Sequence, residues 1–430
     1  MQKFIAITVC FLLMPIRPAA AEDWLHWRGT NRNDIVSESS GWSKDGWLPP
    51  EATWKQDVGE GSTSPIVVGN RVFVLGWRNN QDVLSCLDSK TGTLLWSNSY
   101  DCPRYGRYAT GDEGLYSGPT STPEYDESTG LLYTLSCDGN LNCWDTNQQG
   151  KLVWSGSLYD RFQIGRRPRV GRSGLRDYGY TTAPLVHGDW VIVEVGANEG
   201  SLVAFAKTTG QQIWTSQATG PAGHSGGLVP IDVEGIPCVA VMRYAGLLVS
   251  RIDEGSEGKT VAEYEWITDF INNIATPAVH LNQVLITSAY NHHKICKLEI
   301  TLGGARKIWE QPYASKVCSP IIHGGHVYWA WQQMRCLDFE TGELKWQGGN
   351  FGDAGSCILT SDERLIVWGG RGKLAVVDTA VRSPAQYSEL ARRDHVFKSD
   401  VWPHVVLADG RLYCKDRENQ LLCFELFKRK

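Results

Sequence analysis

Apolar and polar residues alternate in short runs along the chain, as in RVFVLG at 71–76 and WVIVEVG at 190–196, and Gly, Asn or Asp bounds each run. A period of two over runs of about five residues predicts β-strands joined by tight turns. The runs are grouped. Each group opens on a strand that often begins Ser/Thr/Ala-Pro, for example TSPIVV at 63–68, TTAPLV at 181–186, ATPAVH at 275–280 and CSPIIH at 318–323. An alternating strand follows, then a third strand, a turn and a fourth strand in the form CLDSKTGTLLW (86–96). That form recurs as CWDTNQQGKLVW to Trp154, AFAKTTGQQIW to Trp214 and CLDFETGELKW to Trp346, and more loosely up to Trp309 and Trp266. A degenerate copy has Tyr387 in place of Trp. Such self-similarity marks a repeat architecture.

Two markers count the units. Opening strands begin near Thr63, Ser121, Thr181, Ser225, Ala275, Cys318, Gly355 and Trp402, which makes eight, while complete copies with a fourth-strand aromatic make seven. The group that starts at Trp402 lacks a fourth strand, and ATWKQD at 52–57, with Trp54, is a fourth strand with nothing before it. Joining the two ends closes a ring and removes its exposed edges. The expected fold is all-β: an eight-bladed β-propeller of four-stranded antiparallel blades, closed by an N-terminal strand that completes the last blade.

The N-terminus breaks the pattern. Lys3, an apolar stretch over 4–14 and Ala19-Ala20-Ala21 before Glu22 read as a secretory signal peptide over 1–21. The apolar stretch is too short for a stable membrane anchor. Residues 22–430 are then a single propeller domain, exported to the periplasm or secreted, with no membrane span. Of 12 cysteines, removal of Cys10 leaves 11. Cys86, Cys143, Cys336 and Cys423 each precede an apolar-acidic pair, which points to a small buried packing slot and to core thiols. Cys137 and Cys143 flank a tight turn and are the first pair to test for a bridge. Net charge is −5, which gives no reason to expect nucleic acid as a partner.

The recurrent D-x-x-T-G-x-x-x-W element with its S-P openings resembles the quinoprotein-type, PQQ-like eight-bladed propellers. DWLHWRGTNRNDIVSES (23–39) followed by ATWKQDVGEGSTSPIVV resembles secreted PQQ-binding-like repeat proteins of planctomycete-type bacteria. The resemblance covers nearly the whole mature chain and implies docking roles for the repeated Gly and Trp. It is specific for architecture and weak for chemistry, because the family spans pyrroloquinoline quinone (PQQ) dehydrogenases and assembly scaffolds. PQQ is a cofactor only as far as that resemblance implies it. The adjacent-cysteine pair on which many of those dehydrogenases stack the quinone is absent.

Candidate chemistry lies where loops break the repeat. The long intervals at 101–118 and 159–180 connect a fourth strand to the next first strand, on the propeller face that also carries the turns between second and third strands. A central funnel on that face is the default ligand site. Its candidate lining includes Asp177, Tyr178, His224, Arg243, Asn273, Lys316 and Trp402, with Asn272, Trp77, Arg78, Asp400, His292, His293, Trp331 and Gln332 at equivalent positions. Arg166, Arg167 and Arg169, in a cluster with Arg172 and Arg176, are candidates for an anion, since guanidinium matches carboxylate and phosphate. No metal site is expected: His292 and His293 are adjacent, so on a strand they face opposite ways. Asp88, Asp145, Asp338 and Asp378 recur too regularly for a unique active site and are expected to accept hydrogen bonds from the following turn. The leading reading is an exported binding or scaffolding module for a small molecule, glycan or protein. The alternative is a quinone-dependent alcohol or sugar dehydrogenase, and a third reading is an envelope or polysaccharide binder using the arginine loop.

Overall fold

A computed structural model describes residues 22–104, 106, 114–115, 118–166, 169–170, 174–353 and 355–426, with the backbone alone at 169–170, 174–175 and 270. Eight antiparallel sheets stand around an axis, and strands within each are lettered A (inner) to D (outer). Blade one is Ile66–Val68, Arg71–Arg78, Gln81–Asp88 and Leu94–Asp101, in that order across the sheet. The same A-B-C-D order holds in the following blades. In blade six strands B and C run together as His326–Asp338, bent at Gln332 (φ 60°). Blade eight has strands A to C at Val406–Ala408, Arg411–Lys415 and Gln420–Glu425, and Trp54–Asp57 supplies its strand D, with Trp54 opposite Cys423. The ends of the chain therefore close the ring, as the repeat count requires.

What joins neighbouring blades is written in the repeat. A Cβ added to Gly92 of blade one would lie 2.6 Å from the Trp54 ring of blade eight; at Gly150 it would lie 2.4 Å from Trp96, at Gly210 2.7 Å from Trp154, and at Gly342 2.9 Å from Trp309. Each indole from strand D of one blade thus lies flat on the C–D turn of the next, and only glycine leaves room for it. Indole nitrogens donate to the same turns: Trp54 to Ser89 O (3.0 Å), Trp154 to Lys207 O (2.9 Å) and Trp309 to Phe339 O (3.1 Å). The strand-C acids shape those turns. Asp88 Oδ1 accepts from Lys90 N (3.0 Å) and Thr91 N (2.8 Å), and Asp338 does the same with Glu340 N (3.0 Å) and Thr341 N (2.9 Å). The Thr91 N–H holds the Asp88 carboxyl below its ordinary pKa.

Register refines the reading of the aromatics. Trp96, Trp154 and Trp346 lie directly opposite Cys86, Cys143 and Cys336, which is the packing slot the recurring cysteines pointed to. In blades four and seven the equivalent strand-D residues are Ala262 and Ala391, not Trp266 and Tyr387. Trp266 follows strand D and stacks on His292, with centroids 4.3 Å apart; Tyr387 precedes strand D and leans back on Trp346 of blade six. The alanines fall where the next blade offers no matching turn. Blade five has a short hairpin at Thr301–Gly304, and the C and D strands of blade eight come from opposite ends of the chain.

All eleven cysteines of the described residues are buried free thiols. Cys137 and Cys143 do not pair: Cys143 Sγ lies 3.7 Å from Lys207 O of blade three, whereas Cys137 clusters with Cys102 and Trp77.

The Ser/Thr openings form an inner ring of hydrogen bonds. Ser64 Oγ accepts from His404 N of blade eight (2.7 Å), and Ser64 N donates to Thr122 of blade two (3.0 Å). Ser121 bonds Thr182 O (3.0 Å), Thr181 bonds Ser225 O (2.8 Å) and Ser356 accepts from Val405 N (3.1 Å). Between blades six and seven the corresponding contact is Cys318 to Cys357, 3.7 Å between sulfurs.

The segment 22–40 closes the channel from the face of the A–B turns. Trp24 pairs with Val67 of blade one and Ile35 with Leu359 of blade seven. Arg28, 1% exposed, donates to Asp34 (2.6 Å), Pro277 O (3.3 Å) and Pro320 O (2.7 Å). Asp34 also meets His404 Nε2 (3.0 Å), and Arg32 pairs with buried Glu124 of blade two. The repeat units give no sign of this plug.

Gly210→Ala should destabilise the protein by about 1–3 kcal/mol more than Gly188→Ala, which shares a positive φ but has open space around its Cβ position. Denaturant midpoints measure the difference; equal losses would show that the indole contact is not what the glycine serves.

Candidate functional site

A funnel opens on the face of the D–A loops and B–C turns. Trp27 of the plug is among its lining residues, held by an indole hydrogen bond to Thr276 Oγ1 (2.8 Å). Tyr178, His224, Lys316 and Trp402, all expected from sequence, line it, together with Asn272 and Tyr290. The aromatic groups meet edge to face: Tyr178 on His224 at 5.0 Å and on Trp402 at 6.2 Å. The space open to water is about 80 Å³, enough for a few waters.

His224 is 4% exposed and both ring nitrogens are engaged. Nε2 accepts from Tyr178 N (3.2 Å), so Nδ1 carries the proton and donates to Asn272 Oδ1 (2.9 Å). A neutral imidazole held this way orients the Tyr178 loop. Lys316 pairs with Asp353 and sits 5.7 Å from the Tyr290 ring.

Other expected residues lie elsewhere. Asp177 is half-buried and is not among the described residues that line the funnel. Asn273 is fully buried and donates to Arg243 O (2.9 Å) and Trp266 O (3.0 Å). Arg243 is buried between blades, bonded to Ser201 Oγ (3.1 Å), Thr219 O and Glu263. Both act as staples. His292 bonds Ile267 O (2.8 Å) and stacks on Trp266, away from the funnel. In the arginine loop, Arg166 pairs with Asp138 of blade two (3.2 Å) and Arg176 is buried over the Tyr180 ring at 4.0 Å. Arg167 and Arg172 lie outside the described residues, and for Arg169 only the backbone is described, in a two-residue strand opposite Leu175.

Behind the funnel wall, Glu194 of blade three is 1% exposed. Its carboxylate accepts from Thr182 Oγ1 and from Gly223 N (3.1 Å), and those two residues adjoin the funnel's Thr181 and His224. Burial pushes its pKa up to about 7 against these hydrogen bonds.

A larger groove of about 720 Å³ lies on the same face across blades seven, eight and one. Trp77, Arg78 and Asp400, which sequence assigned to the funnel, line it instead. Arg78 pairs there with Asp57 (2.8 Å), and Arg104 with Glu60 (3.6 Å) while covering Trp77. Arg371 and Lys398 add exposed positive charge.

Against known proteins, a family model described as outer membrane protein assembly factor BamB, of the PQQ-repeat type, matches residues 80–348. The chain belongs to this PQQ-like propeller family. No curated protein sequence matches it significantly. Similar solved structures include BamB from Moraxella catarrhalis, with 14% identity, TM-score 0.58, and 87% of this chain and 99% of that one covered. A quinohemoprotein alcohol dehydrogenase from Comamonas testosteroni has 14% identity and TM-score 0.65, over 96% of this chain and 82% of that one. A europium-containing methanol dehydrogenase has 12% identity and TM-score 0.61, over 94% and 98%. At these identities the likeness is one of fold.

PQQ, the cofactor that membership of a PQQ-like family implies, does not fit the funnel formed by the described residues. The quinone is a planar tricycle with three carboxylates, whereas drug-sized ligands occupy sites of roughly 300–1,000 Å³. Among the described residues the funnel offers about 80 Å³, one lysine already paired with Asp353, and no carboxylate in its lining for a calcium ion. Among the described residues no group of three His, Cys, Asp or Glu could hold a metal ion.

The Glu194 geometry sets a pH dependence. The folded carboxyl keeps its proton up to about pH 7, while the unfolded one releases it near 4.5. The folded state therefore binds more protons in that window, and its stability falls as pH rises from 4.5 to 7. Glu194→Gln should flatten that slope, read as melting temperature against pH; parallel wild-type and variant curves would place the titration elsewhere.

Proposed function

We infer that this PQQ-like propeller is an exported binding or scaffolding module that works through its loop-bearing face, with no redox chemistry of its own. One observation carries the reading: segment 22–40 fills the channel and the described residues of the funnel enclose about 80 Å³, while a groove of about 720 Å³ stands open beside it. A channel that is filled by its own chain, with arginines committed to buried carboxylates, is built for rigidity. The groove, with both signs of charge beside Trp77, suits a polar partner, a glycan or a protein segment. Export rests on the signal sequence, and among the described residues no helix is long and apolar enough to cross a membrane.

Adding PQQ and calcium to the purified protein should give no saturable quenching of its tryptophan fluorescence and no dye-linked oxidation of alcohols or sugars. Saturable quenching with substrate-dependent dye reduction would replace this reading with a dehydrogenase.

A further inference from the structure

Glu38 is the most unusual carboxylate in the plug. It is 6% exposed, on the underside where the plug meets the A–B turns of blades seven and eight. Its oxygens accept from Asp409 N (2.7 Å), Gly410 N (2.6 Å) and Glu22 N (3.3 Å), and its carbonyl accepts from Ser361 N (2.9 Å). No lysine, arginine or histidine of the described residues pairs with it. The arginines of the neighbouring turns are taken: Arg411 holds Asp409 (2.6 Å) and Arg364 holds Asp362. Desolvation raises the Glu38 pKa, with the nearby Asp409 charge adding to it. A buried anion with only neutral donors lacks the counter-ion that ordinarily makes such burial tolerable.

The missing charge lies one bond away. The backbone nitrogen facing Glu38 Oε1 is that of Glu22, the residue after Ala19-Ala20-Ala21. Hydrolysis of the Ala21–Glu22 peptide bond by a signal peptidase consumes one water, leaves Ala21 with a carboxylate, and leaves Glu22 with an α-amino group that takes up a proton at neutral pH. A neutral amide donor becomes an ammonium at the same atom.

The geometry points to Glu38 as the receptor for the new N-terminal ammonium, so that removal of the leader completes an ion pair that locks the plug beneath the channel. This rests on the export reading above. The surroundings already hold Glu22 for the role: its carboxylate accepts from Ser37 N and Ser37 Oγ (both 2.6 Å), and Asp23 accepts from Gly69 N of blade one (2.8 Å). The ion pair would tie the start of the plug at blade one to its end at blades seven and eight, across the seam where Trp54 closes the ring. The uncleaved chain can make the same backbone contacts but not the charge pair.

The test compares two forms of the mature chain, one beginning with a free amine at Glu22 and one acetylated there, each also as Glu38→Gln. The free form should melt about 3 °C higher at pH 6–7. An ammonium stabilised by a carboxylate has its pKa raised above the ordinary value of about 8, so while Glu38 is ionised the advantage is full below pH 8 and is lost as pH rises beyond it. Glu38→Gln should abolish the difference between free and acetylated forms. Equal melting of free and acetylated wild-type protein at pH 6–7 overturns the ion pair, and so does a difference that survives Glu38→Gln. If that variant does not fold, a free-versus-acetylated gap that closes above pH 9 supports the pair and one that does not close refutes it. N-terminal sequencing of the exported protein separates the two claims. A start elsewhere refutes cleavage before Glu22 and the latch with it, whereas a start at Glu22 with equal melting sinks the latch alone.

Discussion

The structure depends on an indole lying flat on a glycine turn. Twisted four-stranded sheets arranged around an axis diverge outward, so the outer edges of neighbouring blades leave a wedge that a broad apolar ring can fill. Strand D supplies the ring and the next blade's C–D turn supplies the floor. A Cβ on Gly92, Gly150 or Gly210 would enter the indole, and the turn's first carbonyl takes the indole N–H in blades one, three and six. The repeat signature is therefore shared between blades: Gly92, Gly150, Gly210 and Gly342 each serve the Trp of the blade before. The Trp is missing in blades four and seven, where the following blade presents no such turn.

An eight-bladed ring also leaves an axial channel, and its walls are the short A strands. Their Ser and Thr hydroxyls satisfy backbone groups from blade to blade, which fixes the inner radius. Into that space the chain inserts its own N-terminal segment. The plug is polar for a physical reason: just before the A strands of blades five and six, Pro277 O and Pro320 O are collected by the Arg28 guanidinium, while Asp34 balances its charge. Removing one partner of such a buried pair leaves an uncompensated charge, so the pairs hold the segment in this one arrangement. With the channel occupied and Trp27 lining the funnel, the larger open groove lies outward, among the loops over blades seven, eight and one.

Fold and loop face were legible in the sequence, because both depend on local pattern. Strand period, turn residues and the recurring Asp, Gly and Trp report contacts that repeat in every blade, and the unmatched Trp54 strand revealed the closure. The funnel was partly legible: Tyr178, His224, Lys316 and Trp402 sit just before A strands, and that position alone places them near the axis. Asn273, also just before an A strand, and Arg243, at a B–C turn, instead turn into the protein, since direction there is set by neighbouring blades and not by chain position.

By itself, then, the sequence determined the number of blades, their strand order and the way the ring closes, because each is a periodic property of nearby residues. Tertiary structure alone decided that 22–40 fills the channel, that the funnel is a small slot and that the broad groove lies off the axis. Those outcomes come from contacts between residues hundreds of positions apart, such as Arg28 with Pro320 and Trp27 with Thr276, each made once and so without a pattern to read.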